Sequence, residues 1–321
     1  MPQLPYPSEL LPVFQKSITC EYASLTASGT PITFPVTPYM GENTLDVSTG
    51  LTYPSKAERA RRNPKVGLLY SDPVGSGLQN APVVLVYGHA AVRDAHLQTN
   101  TDRYVKYAHK NMPLPPFVLR RMTFYFARIW VEVTPIKILW WENRDLDAAP
   151  KRWDAPAGLD LPQSDPAPKG ESLGRWKEAP QDWREGAAYA AEHLGVPVLT
   201  VVDDDGYPVP FRVKGAALVD EGFKLEIGAG APAKAAGKAC LTFHSHPEVF
   251  TGQENIVFVG EMQEGGLFKV ERRPGDWSLP PKGLGALTSF FTSGIKLRPR
   301  LKAEAERRGQ PVPKVRLPGD F

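Results

Sequence analysis

The chain has 321 residues, 38 Lys and Arg against 35 Asp and Glu, a net charge of +3 and 42% hydrophobic residues. That length and ordinary apolar content predict a soluble protein of two domains, and the near-neutral charge removes any global reason for a nucleic acid or membrane partner. Two cysteines, Cys20 and Cys240, make no disulfide framework, and with no basic-then-apolar start and no membrane-length apolar run the expected compartment is the reducing cytoplasm.

In chain order, residues 7–16 read as a short helix with Ser8 as N-cap, and residues 21–26 as a strand closed by a Ser28-Gly29 turn. Ile32, Phe34 and Val36 alternate with Thr33, Pro35 and Thr37, the period of a half-buried strand, and Pro35 makes it an edge or bulged strand. A turn at residues 41–43 leads into a strand over 44–48. A helix is expected from Lys56, with Ser55 as N-cap, Glu58 completing a capping box and Asn63-Pro64 as the stop. Residues 66–70 and 83–90 read as strands, 94–111 as a helix ended by Pro113, and 129–139 as the closing strand of this unit.

Residues 1–144 therefore form a first domain. Residues 145–182 have a linker composition, rich in Pro, Ala, Gly, Asp and Lys, although Trp153 and Trp176 within it, flanked by Trp141 and Trp183, favour packing along the domains. A second domain is expected over 183–297, and a basic tail over 298–321 with a helix near residues 299–308.

The second domain repeats the first. Gly29-Thr30-Pro31-Ile32-Thr33-Phe34-Pro35-Val36 returns as Gly206-Tyr207-Pro208-Val209-Pro210-Phe211-Arg212-Val213. Leu45-Asp46-Val47 matches Leu225-Glu226-Ile227, Val66 to Tyr70 matches Ala239 to Phe243, and Val83 to Gly88 matches Asn255 to Gly260. Preserved order with drifting loop lengths points to a tandem duplication of a β-rich unit.

Only the first copy carries a strong anion-binding segment. Ser48, Thr49 and Ser55 precede or open a helix whose early residues include Lys56 and Arg59. Free N–H groups at a helix start, hydroxyl donors and charged side chains together suit a phosphate. A solvated basic surface helix is the plainer reading, and it is the expectation for Arg61 and Arg62. In the second copy Gly228-Ala229-Gly230-Ala231-Pro232-Ala233-Lys234 replaces the hydroxyl cluster, so one functional site per internal pair is expected.

At this point the chain resembles the flavin-binding split β-barrel superfamily, the pyridoxamine 5′-phosphate oxidase-like proteins and deazaflavin-dependent reductases. The resemblance rests on residues 23–31, Leu45-Asp46-Val47-Ser48-Thr49, residues 55–68, Val86-Tyr87-Gly88-His89-Ala90 and residues 128–135, and covers about residues 14–140 best. It implies a mainly β fold of two tandem split β-barrels with short helices, paired inside one chain as that family pairs two protomers, with a further homodimer open. It implies Ser48, Thr49, Ser55, Lys56 and Arg59 as holders of a cofactor phosphate and Pro35, Val36 and Thr37 as contacts to a ring. The implied cofactor is FMN or the deazaflavin coenzyme F-420, and the implied activity is flavin-dependent oxidoreduction of a small molecule. A non-catalytic flavin- or haem-binding protein is the alternative.

No Ser-His-Asp order or activated Cys stands out, as befits an enzyme whose cofactor supplies the reaction. His244-Ser245-His246 places two imidazoles on one strand face, a metal or haem pair in principle, but without a third ligand a polar strand end is the favoured reading. His89 and His109 read as structural, Asp203-Asp204-Asp205-Gly206 as a hairpin turn, and the basic residues at 120–121 and in the tail as solvated faces.

Overall fold

A computed structural model describes residues 6–108, 114–172, 182–250, 252–274, 277–278 and 284–319. The expected helix end at 109–111 with Pro113, as well as His109 and Trp176, lies outside the described residues.

The first half contains α1 (Leu11–Lys16), β1 (Cys20–Leu25), β2 (Pro31–Val36), β3 (Tyr39–Met40), β4 (Leu45–Gly50), α2 (Ser55–Arg62), β5 (Lys65–Tyr70), β6 (Val83–Arg93), α3 (Leu97–Ala108), α4 (Pro116–Leu119), α5 (Thr123–Phe126), β7 (Arg128–Trp141) and β8 (Lys151–Asp154). The second contains α6 (Trp183–His193), β9 (Val198–Val202), β10 (Pro208–Arg212), β11 (Gly215–Val219), β12 (Gly222–Glu226), β13 (Gly237–Ser245), β14 (Glu254–Gln263), β15 (Leu267–Arg272), β16 (Trp277–Ser278) and α7 (Leu284–Arg307).

The fold is mainly β, with two antiparallel, curled half-barrel sheets. Their strand orders coincide: β2-β1-β5-β6-β7-β4-β3 in the first and β10-β9-β13-β14-β15-β12-β11 in the second. The correspondence reaches single residues. Ala23 pairs with Thr33 and Gly67, and Thr200 pairs with Pro210 and Cys240. The hairpins β1–β2 and β9–β10 turn at Gly29 (φ 75°) and Gly206 (φ 77°), a left-handed conformation that glycine adopts without steric cost.

The two sheets pack as an internal pseudo-dimer. β2 lies against β9 and β13, and β10 lies against β1 and β5, so exchanging the halves maps one set of contacts onto the other. At the centre the Thr33 and Thr200 hydroxyls are 2.6 Å apart, and the Thr242 hydroxyl donates to the Thr33 carbonyl at 3.1 Å. Gly67 has no room for a Cβ because the Pro208 carbonyl and the Pro210 ring occupy it.

This packing corrects the half-buried reading of residues 31–37. β2 is an edge strand, as Pro35 required, yet its Thr33 and Pro35 face is buried against the second half, and Phe34 is the half-buried residue. Both faces of β6 are covered as well. Val84 and Val86 enter the first core, while Val83, Leu85 and Tyr87 enter the second. That explains an apolar run without alternation.

Two stretches differ from the sequence expectation. Residues 151–154 form β8 on β7, so the linker-like segment contributes a strand. The terminal helix α7 starts at Leu284 and carries Pro299 inside it, so the expected boundary at 297/298 falls within a helix. One face of its end is docked on the first half, while Arg298, Lys302 and Glu306 remain exposed. Leu301 and Ala305 join the first core. Arg308, whose side chain is 2% exposed, pairs with Asp94 at 2.8 Å and Glu304 at 2.7 Å. Arg307 pairs with Glu58 and Glu304. Arg61, expected at the surface, pairs with Asp94 at 2.7 Å, while Arg62 is exposed.

Candidate anion-binding site

The site is built on the β4–β7 pair and the helix that follows β4. β4 aligns Ser48 with Trp130, Thr49 with Ile129 and Gly50 with Arg128. Alternation sends Leu45, Val47 and Ile129 into the first core and places Ser48, Gly50, Arg128 and Trp130 on the opposite face. Thr49 is therefore on the core-facing side, buried, with its hydroxyl donating to the Tyr53 carbonyl at 2.9 Å. Ser48 is on the site face. The side chains of Ser48 and Thr37 lie near enough to the Tyr39 phenol to oppose the rise in its pKa that burial causes, which sets two of the expected residues beside one the sequence reading did not select.

The helix departs from its expected cap. Pro54 occupies the N-cap without a side-chain bond and Ser55 is the first helical residue. Glu58 does not reach back to close a capping box. Its carboxylate instead takes Arg307 and Arg308 from the terminal helix and the turn after it. Ala57 and Ala60 bury against the core, which leaves Lys56 and Arg59, three apart, as neighbours on the helix surface.

Lys56 holds its ammonium 4.7 Å from the centre of the Phe34 ring. Arg59 donates from Nε to the Ser24 hydroxyl at 2.9 Å, and its buried Nη2 has no partner. Arg128 lies over Tyr104 at 4.0 Å and Tyr125 at 5.0 Å, with a buried Nε that also has no partner. Among the described residues no carboxylate pairs with any of these three cations. Gly50 leaves the space beside Arg128 open, since a Cβ there would stand 3.0 Å from Nη1.

The electrostatics follow. Burial, then the Arg59 and Arg128 charges, push the Lys56 pKa down to about 7. Burial lowers Arg59 to about 10. Burial also opposes the charge of Arg128, but the phenols of Tyr104 and Tyr125 outweigh it and hold that guanidinium above its ordinary value. Three mutually repelling cations, two with orphaned N–H groups that each cost about 1–3 kcal/mol if left dry, form a cradle that an anion would satisfy. A phosphate monoester supplies enough acceptor oxygens for all of them.

The remaining expected residues are less central. Pro35 is buried opposite Glu21 on β1, and Val36 belongs to the first core, so neither side chain lies on the cationic face. Thr37 is exposed at the end of β2, and Ser55 is half-buried at the helix start. Across the boundary, Cys240 on β13 lies within electrostatic reach of Arg59, so the second sheet borders the site. Arg300 of α7 adds a guanidinium 4.7 Å from the Tyr53 ring, beside the β4–α2 turn.

Other constellations resolve into structure. His244 Nε2 contacts Glu21 Oε1 at 2.8 Å, and His246 meets Thr19 at 3.2 Å and Asp72 at 3.4 Å. Among the described residues no group of His, Cys, Asp and Glu could hold a metal ion. Asp203 to Gly206 forms the β9–β10 turn. No helix among the described residues is long and apolar enough to cross a membrane.

No family model and no curated protein matches the chain. Three solved structures similar to it each align with less than half of its length. A pyridoxamine 5′-phosphate oxidase-related, FMN-binding protein from Nostoc punctiforme is 11% identical, with 44% of this chain and 87% of that one covered and a TM-score of 0.32. An F-420 reductase is 16% identical, covering 41% and 98%, with a TM-score of 0.32. The haem-storage protein HutZ from Vibrio cholerae is 12% identical, covering 41% and 91%, with a TM-score of 0.31.

Proposed function

We propose that the chain is a flavin-dependent oxidoreductase that holds the phosphate of FMN, or of the deazaflavin coenzyme F-420, in the cradle of Lys56, Arg59 and Arg128. The carrying observation is three cations with no carboxylate partner among the described residues and two buried N–H groups without a partner among them. Ser48 and Thr37, both near Tyr39, add hydroxyl donors at the edge, and Ser55 offers one at the helix start. Phe34, beside Lys56, provides an apolar surface next to the charge.

The flavin, when bound, would supply the redox chemistry. The chain's own contribution is to neutralise and orient the phosphate and to keep water from the cations. The second half borders the pocket through β13, so that one half grips the ligand and the other encloses it. The acceptor is a small molecule in this reading.

The haem alternative draws little support from Nε2 of His244 and of His246, which face Glu21 and Thr19, although the buried Nδ1 of His244 has no partner among the described residues. Titration of the purified protein with FMN and with F-420, followed by fluorescence, tests the reading. Quenching by either that weakens at least about tenfold in Lys56→Ala supports it. Absence of binding of both overturns it. A bound flavin that no reductant reduces makes the protein a carrier instead of an enzyme.

A further inference from the structure

The second half has a counterpart of the cationic pocket, and it is filled by the chain itself. Tyr39 pairs with Asp46 in the first half as Ala217 pairs with Lys224 in the second, in the register that the matching bulges of β6–β7 and β14–β15 fix. Counting on from those residues, Glu226 stands where Ser48 does and Gly228 where Gly50 does, while Phe211 matches Phe34. Phe211, Gly228, Gly230, Ala231 and Pro232 line one slot, closed by Val83 and Trp141 of the first half. Leu146 lies in the same slot and packs on the second core.

The fit is made by backbone. A Cβ at Gly228 would overlap the Leu146 carbonyl, and one at Gly230 the Ala148 carbonyl. The Gly230 amide donates to the Leu146 carbonyl at 3.0 Å, and the Trp141 indole donates to the Gly230 carbonyl at 3.1 Å. Asp147 takes the Ala229 amide at 3.0 Å and the Lys214 ammonium at 2.6 Å. The chain enters through a turn at Asn143 (φ 52°) and Arg144 (φ 60°). Arg144 is fixed by a bond to the Ser71 carbonyl at 2.7 Å. Left-handed φ at two successive non-glycine residues is uncommon and holds only where the surroundings fix it.

We propose that residues 145–148 are a built-in occupant of the second half-site, with Leu146 in the apolar slot and the Asp147 carboxylate on the amide and ammonium that an external anion would otherwise take. The glycines at 228 and 230, which in sequence look like decay of a phosphate segment, are in this reading the fit for that occupant. Each chain then takes a single ligand, on the Lys56 side. This last consequence rests on the function proposed above, whereas the occupancy does not.

Amide hydrogen exchange on the full chain tests the occupancy without a ligand. The Ala229 and Gly230 amides should be protected at least about a hundredfold relative to an open loop, and Gly230→Ala should reduce that at least about tenfold while β9 amides stay unchanged. If Gly230→Ala does not fold, the double variant Leu146→Gly with Asp147→Gly removes the side chains that fill the slot and cap the Ala229 amide without adding a Cβ, and the same loss is expected at Ala229. Unprotected Ala229 and Gly230 amides in the wild type overturn the proposal. So does unchanged protection in the folded variant. In an FMN titration, two equivalents per chain would also overturn it. No FMN binding at all would sink only the proposed function and leave the exchange result standing.

Discussion

Glu21 of β1 and His244 of β13 meet at 2.8 Å across the boundary between the two halves, both about 1% exposed. Ser71 donates to the same carboxylate oxygen at 2.6 Å, and Arg212 of β10 approaches it at 3.4 Å. Burial alone would raise the Glu21 pKa, but the His244 bond, the Arg212 charge and the Ser71 hydroxyl outweigh it and leave the value below its ordinary 4.5. A carboxylate with a depressed pKa contributes stability above its unfolded value and loses it as pH falls through the folded one. Glu21→Gln should therefore cost about 3 kcal/mol at neutral pH, the scale of breaking a buried pair. The gap to the wild type should narrow below pH 4.5. Urea unfolding from neutral to acid pH measures it, and a constant gap would count against the pairing as its source.

Lys56 has the same sign for a different reason, since here burial and like charges disfavour the ionised form. Its folded pKa of about 7 lies below its ordinary 10.5, so between those values the unfolded chain holds more protons and stability rises with pH. An arriving phosphate favours the charged ammonium, so binding should take up protons near and above neutrality, and affinity should weaken as pH rises past about 7. Calorimetry of FMN binding in two buffers of different ionisation enthalpy reads that uptake directly. Lys56→Met should abolish the buffer dependence and weaken binding about tenfold to a hundredfold. Without ligand, the same variant should be more stable than the wild type, because it removes a charge held among like charges. Buffer-independent heats in the wild type would sink the assignment of Lys56 to the anion.

The strands were legible because their signals are local: glycine turns at 29 and 206, alternation in β7, and the repeated order of segments. The helix stop at Asn63-Pro64 was legible for the same reason. What escaped depends on distance in sequence. Arg128 enters the site only because β7 returns beside β4, and its signal was a guanidinium at the end of an aromatic run, Phe124-Tyr125-Phe126. Thr33 reads as a solvent-facing strand residue until the second sheet covers it. Thr49 was selected for its hydroxyl, but the pleat turns it away from Ser48. β8 has a linker's composition and exists because β7 offers it a paired edge. The basic tail reads as solvated until Glu58, Asp94 and Glu304 are seen to receive it.

Arg128 is positioned by stacking, and that makes it sensitive to small changes. Its guanidinium carbon stands 4.0 Å from the centre of the Tyr104 ring, and Gly50 opposite leaves its tip unobstructed. Arg128→Lys keeps the charge but loses the planar stack and the fork of donors. It should weaken FMN binding about tenfold or more, a loss of at least about 1.4 kcal/mol. Gly50→Ala places a methyl 3.0 Å from Nη1. It should weaken binding in the same direction with little effect on the unfolding midpoint, since Ala is tolerated in a strand at least as well as Gly. Equal affinity in both variants would remove Arg128 from the site.

The terminal helix and the segment after it are part of the first half's fold. The Arg308 side chain is 2% exposed and bonds Asp94 and Glu304, whose side chains are 3% and 0% exposed. Asp94 also holds Arg61 of α2, the helix that carries Lys56 and Arg59. Replacing Arg308 by Ala leaves two buried carboxylates short of a partner, at a cost of about 3–5 kcal/mol. Because the pairs are dry, added salt should change that cost little, unlike the effect on an exposed pair such as Lys302 with Glu306. If α2 depends on this network, Arg308→Ala should also weaken FMN binding although Arg308 does not touch the cradle. Unfolding midpoints at low and high salt, read beside FMN titrations, separate the two effects. A stable variant with wild-type affinity would show that the terminal segment lies on the first half without supporting it.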